Sequence, residues 1–145
     1  MLVLFDADRI WNRACDPFAK HSTVGDQALQ DVLRVHGQVM NGGLASALEY
    51  NAPDEIHRAV AGFRYLRLDD VALTLATAFD VAFPASAIAD ADARGDHLDA
   101  LGDDVHERLE RLEDSYNAAV PRDAVLEAAF RERLHESPGD FAPLH

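Results

Sequence analysis

Lysine and cysteine are almost missing from this chain. Lys20 is the only lysine among 13 basic residues, and Cys15 is the only cysteine in 145 residues. One cysteine excludes an internal disulfide and a cysteine-based zinc site. Basic charge is scarce altogether: 26 Asp and Glu stand against 13 Lys and Arg, a net charge of -13. A surface of that sign repels nucleic acid and anionic lipid and attracts basic partners, which argues against direct nucleic-acid binding. Long apolar runs are absent too. The longest apolar-rich stretch, residues 71–83, falls short of the roughly 20 residues that a membrane span needs. The N-terminal MLVLF run has no basic segment before it and is too short for a signal peptide. These absences set the expectation of a soluble, cytoplasmic protein. No alternating stretch of strand length, internal repeat or low-complexity linker occurs.

What is present is helical periodicity. At 48% hydrophobic and 27% charged residues the composition is globular, and the length suits one domain, residues 1–145. The expected fold is all-α, a single compact domain of seven or eight helices. A first helix is expected over residues 7–21. Ser22 or Thr23 caps a second, whose Leu29, Val32, Leu33, His36, Val39 and Met40 share a face. A short third helix carries Leu44, Ala47 and Leu48, and Asn51 and Pro53 end it. A fourth buries Ile56, Val60 and Phe63. Asp69 caps a fifth, so apolar that it is expected at the centre of the bundle. A further helix is expected from about residue 97 to 119, with Gly102 as its weak point, where a break would confine the acidic row to residues 103–114. A last one after Pro121 buries Val125, Leu126, Ala129, Phe130 and Leu134, and ends at the SerProGly of residues 137–139.

Asn41, Gly42 and Gly43 interrupt this pattern as a structural turn. Gly42 is expected to close the second helix in the left-handed conformation, and Gly43 to let the next backbone turn sharply. The alternative reading is an anion nest formed by free N–H groups at the start of the third helix.

The segment between residues 90 and 114 holds ten acids against Arg94, Arg108 and Arg111. Within it Asp96, Asp99, Asp103, Glu107, Glu110 and Asp114 follow spacings of three and four, one stripe on a helix. Leu98, Leu101, Val105, Leu109, Leu112 and Tyr116 follow the same spacings shifted by two, about 200° around the axis. The acids therefore face solvent in a row up to roughly 27 Å long at a 1.5 Å rise, with Asp104–Arg108 and Glu107–Arg111 pairs relieving some repulsion. These six acids are the candidate partner-binding residues.

Other chemistry is thin. DADARGD at residues 90–96 resembles the start of a calcium loop, but Arg94 and Leu101 stand where Asp or Asn and Glu are wanted. The seven histidines form no metal motif. His36 reads as a core histidine, and His57 and His106 as solvent-facing. No nucleophile elbow, phosphate loop or dinucleotide fingerprint occurs. No catalytic, cofactor or metal site is expected, and the chain does not read as an enzyme.

Several stretches resemble a small bacterial family of acidic helical proteins, the DNA-mimic protein nineteen family. They are the NGG corner within residues 39–51, IHRAVAGFRYL at 56–66, FDVAFP at 79–84, LEDSY at 112–116 and SPGDF at 137–141. The family commonly has Phe where this chain has Leu44, Gln at Ser46 and Glu at Gln38. The resemblance implies an all-helical fold. For the name-giving member it implies an acidic surface that imitates DNA toward a transcription regulator or other nucleic-acid-binding protein. Two alternatives stand beside that reading. One is an immunity or antitoxin-type neutraliser of a basic toxin or nuclease. The other is an enzyme with a site near the double-glycine corner and His36. An acidic surface does not forbid a homodimer, because apolar patches elsewhere can pair.

Overall fold

The computed structural model describes residues 4–85 and 87–144, and every regular element among them is helical. Eight α-helices run in order: α1 (Leu4–Ala14), α2 (Val24–Gly42), α3 (Leu44–Tyr50), α4 (Pro53–Tyr65), α5 (Asp69–Ala82), α6 (Ala91–Asp99), α7 (Asp103–Ala119) and α8 (Asp123–Glu136). A 3-10 turn, Pro138–Asp140, follows. None of these helices is long and apolar enough to cross a membrane. The N-terminal apolar run lies largely outside the described residues.

The helix at the centre is α2, not α5 as hydrophobicity suggested. It packs against α1, α3, α4 and the C-terminal turn, and ten of its nineteen residues are buried. By contrast α5 buries six of fourteen and leaves Leu73 63% exposed. The reason is that α2 buries polar groups whose needs are met inside the protein, which offsets their desolvation. Asp26 is the clearest case. Its carboxylate accepts hydrogen bonds from Arg13 Nη2 at 2.7 Å, from the Thr23 hydroxyl and from the Ala142 N–H at 2.7 Å. One buried charge thus ties α1, the start of α2 and the C-terminal tail together. Gln30 similarly donates to the Asp16 and Ala19 carbonyls at 2.9 and 2.7 Å, holding the α1–α2 connection.

The first helix is shorter than expected. It ends at Ala14 because Pro17 follows closely, biasing Asp16 away from helical backbone. Thr23 is the N-cap of α2. Leu68, not Asp69, is the N-cap of α5. Just before it, α4 closes with Arg67 at φ 62. The Leu68 N–H reaches the Phe63 carbonyl and the Arg67 N–H the Arg64 carbonyl, the paired bonds of a Schellman motif. Gly62 lets α2 and α4 touch, since a Cβ there would sit 2.8 Å from the Ala28 carbonyl oxygen.

The apolar sets of the later helices meet one core. Ile56, Val60 and Phe63 of α4 are buried with Leu98, Leu109, Tyr116, Leu126, Phe130 and Leu134. Leu101, Val105, Leu112, Val125 and Ala129 pack against that core only partly buried, as does Leu33, while Met40 is 43% exposed. Phe130 contacts Trp11 and Phe141 with ring centroids 5.8 and 5.6 Å apart, so α8, α1 and the tail share an aromatic cluster.

Candidate functional site

The expected long helix over residues 97–119 does not exist. Its chain breaks at Ala100–Gly102, with α6 ending at Asp99 and α7 starting after Gly102 at φ -67 and ψ 162. Glycine and the short Leu-Gly link offer little to hold a helix together here. Asp96 and Asp99 therefore sit on α6, and Asp103, Glu107, Glu110 and Asp114 on α7. All six side chains are exposed, as the spacing implied. The continuous row shrinks to α7, about 16 Å from Asp103 to Asp114 at a 1.5 Å rise.

Among the described residues these carboxylates form no ion pair. Ion pairs form elsewhere: Arg13–Asp26, Arg34 with Asp31 and Glu55, Arg58–Asp54, Arg67–Glu136, and Arg131 with Asp8. Among the described residues none involves the six stripe acids, and the expected Asp104–Arg108 and Glu107–Arg111 pairs do not close. Arg94, counted from sequence as a counter-charge, is buried. Its guanidinium donates to the carbonyls of Glu49 at 2.7 Å, Ile88 at 2.9 Å and Ala89 at 2.6 Å. The DADARGD segment is accordingly the start of a helix, with the Asp90 carboxylate accepting from the Ala93 N–H at 2.9 Å. Among the described residues no cluster of His, Cys, Asp and Glu has the arrangement to hold a metal ion.

The double glycine works differently from its expected form. Gly42 remains helical, and Gly43 carries the special backbone at φ 90 and ψ 174, a region essentially confined to glycine. Asn41 is an exposed residue in the last turn of α2. The Gly43 N–H still closes α2 on the Val39 carbonyl at 2.8 Å. The N–H of Leu44, opening α3, donates to Glu113 Oε1 at 2.5 Å. An anion does occupy the start of α3, and it is the protein's own carboxylate from α7. Glu113 is half-buried, withdrawn from the acidic surface to which composition alone assigned it. The signal was present in the sequence. Glu113 stands four residues after Leu109 and three before Tyr116, both buried, so it lies toward the apolar face.

His36 is a core histidine with both ring nitrogens engaged. Nδ1 lies 2.8 Å from the Tyr116 hydroxyl and Nε2 3.0 Å from Asp123 Oδ1. A carboxylate only accepts, so Nε2–H donates to Asp123; in the neutral imidazole Nδ1 then accepts from the Tyr116 O–H. Burial, with the Asp123 charge added, pushes the Tyr116 hydroxyl above the ordinary tyrosine range. His57 is exposed and meets Phe79 edge-on at 4.9 Å, whereas His106 is half-buried rather than solvent-facing.

Three of the five family-like stretches meet in this region. LEDSY supplies Glu113 to the NGG corner and Tyr116 to His36, and Phe63 of the α4 stretch meets Tyr116 edge-on at 6.1 Å. Residues 22–134 match the DMP19-like protein family. The chain belongs to that family. No curated protein and no solved structure matches it. Within this DMP19-like protein, those three stretches build the junction of α2, α3, α4 and α7. The exposed stripe lies on the same α7 that the junction anchors, so the core contacts of Glu113 and Tyr116 set which face of α7 the carboxylates present.

Proposed function

We propose that this DMP19-like protein is a non-enzymatic interaction module that engages a basic partner, and that the carboxylates of α6 and α7 imitate the phosphates of DNA toward a nucleic-acid-binding protein. The observation that carries this reading is that, among the described residues, the six exposed acids have no ion-pair partner. Neighbouring stripe positions stand about 5–6 Å apart between Cβ atoms, and like charges so placed cost a few tenths of a kcal/mol per pair. The spacing gives about one charge per 4.5–6 Å along α7, sparser than the one per about 1.7 Å of duplex DNA. Imitation therefore draws on the acids flanking α7 as well as on the stripe. Arg and Lys side chains that otherwise contact phosphate meet carboxylates here, and the resulting affinity falls with salt.

The test is a binding measurement with a variant carrying Asp99→Asn, Asp103→Asn, Glu107→Gln and Glu110→Gln. Proteins captured from a lysate of the native host by wild type at low and moderate salt are compared with those captured by the variant. A nucleic-acid-binding protein retained only by wild type, and displaced by DNA, supports the reading. The same partners on both would mean that the stripe is a solvated face.

A further inference from the structure

Beside the stripe, α5 and α7 enclose a groove of about 570 Å³, within the range of small-ligand sites. Thr77, Asp80, Val81 and Pro84 form one wall and Asp104, Val105 and Arg108 the other. On α5 the lining positions recur at spacings of three and four, one face of the helix. Val81, Val105 and Pro84 supply its apolar lining. The two carboxylates come from different helices and are both exposed. Neither forms an ion pair or side-chain hydrogen bond among the described residues, and the same holds for Arg108.

We propose that this groove is the seat of one arginine side chain from the basic partner. The inference rests on the interaction reading above and names an anchor point outside its stripe. An arginine has an apolar stem that packs on apolar surface while its head stays polar. Its guanidinium is planar, carries five donors and is more weakly hydrated than an ammonium. An apolar lining of two valines and a proline alongside two carboxylates suits that shape, with the stem against Val81, Val105 and Pro84 and the head toward Asp80 and Asp104. Arg108 is the cation among the lining residues. It opposes the incoming charge and gives way along the solvent side.

The experiment titrates the full chain with a blocked tetra-arginine peptide, and in parallel with tetra-lysine, at low salt. Affinity and backbone amide shifts are followed by NMR. Thr77→Trp fills the groove and leaves every charge in place. Asp80→Asn with Asp104→Asn removes two charges from it, and Asp69→Asn with Glu132→Gln removes two elsewhere. Circular dichroism checks that each variant is folded. The expected result is shifts centred on Thr77, Asp80, Val81 and Val105, with tetra-arginine bound tighter than tetra-lysine. Affinity falls about fivefold in Thr77→Trp and in the groove amides, but less in the distant amides, at about 1 kcal/mol for a well-placed pair. Arg108→Gln raises affinity about twofold.

Equal loss in the groove amides and the distant amides overturns the proposal, as does wild-type affinity in Thr77→Trp. The four-amide stripe variant separates the two ideas, since it contains no groove residue. If it weakens while the groove variants do not, the groove fails and the stripe reading stands. If only the groove variants weaken, the anchor stands without the stripe. Wild-type affinity in both sets overturns both.

Discussion

Replacing Gly43 by alanine is expected to cost about 3–5 kcal/mol, far more than a surface glycine change. Two effects add. The backbone at φ 90 and ψ 174 suits only glycine, and holding another residue there costs about 1–3 kcal/mol. A Cβ at this position would also lie 2.5 Å from Glu113 Oε1. The carboxylate must then move off the Leu44 N–H, and a hydrogen bond to a charged group contributes about 1.5–3 kcal/mol. The sum exceeds what the methyl gains through lower entropy of the unfolded chain, about 0.4–1 kcal/mol. Gly37 provides the internal control. It lies within α2, and a Cβ there meets nothing within 4 Å, so Gly37→Ala should stabilise by up to about 1 kcal/mol. Urea unfolding followed by circular dichroism reads both. A cycle with Glu113→Ala isolates the second effect. In that background Gly43→Ala should cost only the backbone strain, leaving a coupling of about 1.5–3 kcal/mol. Equal cost of Gly43→Ala in both backgrounds would refute the role given to Glu113, and a cost below about 1 kcal/mol would refute the strain argument.

Three further outcomes are expected. Asp26→Ala removes the fully buried acceptor that ties α1, α2 and the tail. It should destabilise by about 3 kcal/mol, the lower end for a broken buried pair because Arg13 keeps some access to water. Limited proteolysis should then cut residues 137–144 faster. Burial holds the Asp31 carboxyl above its ordinary 3.8, only partly opposed by Gln27, Arg58 and Arg34. The folded state thus keeps this proton to higher pH than the unfolded chain, so this residue's contribution to stability falls as pH rises from 3.8 through the folded value. Asp31→Asn should flatten that part of the melting temperature against pH. An unaltered curve would mean that burial does not govern this group. Finally, the four-amide stripe variant should melt slightly higher than wild type at low salt, by about 1–3 °C. Relief of like-charge neighbours should outweigh the lost interaction of Asp103 with the start of α7. A lower melting point would mean that the stripe stabilises the fold.

Much of the architecture was legible because helical periodicity is a local property. Ile56, Val60 and Phe63, or Leu126, Phe130 and Leu134, recur at the helical period, and each set is buried. Breaks with a local cause were legible too, such as the stop at Ser137 and the turn at Gly42 and Gly43. The Ala100–Gly102 break was legible only as a weak point at Gly102, because the apolar and acidic spacings run through it without interruption. The site was half legible. Exposure of Asp96, Asp99, Asp103, Glu107, Glu110 and Asp114 follows from their place opposite the apolar set. Whether a nearby arginine pairs with them depends on side-chain geometry that spacing does not contain.

By itself, then, the sequence determined an all-helical chain with a surplus of negative charge and a sharp corner at residues 42–43. Those features follow from residue type and from neighbours three or four positions away. The tertiary structure alone decided that Arg94 is spent on three carbonyls and that Asp26 is buried as a clasp. It also decided that Glu113, which its local spacing already turns toward the apolar face, finds its partner in the N–H of Leu44, 69 residues earlier in the chain. Such contacts join helices distant in sequence, and no local period encodes which buried polar group will find which partner.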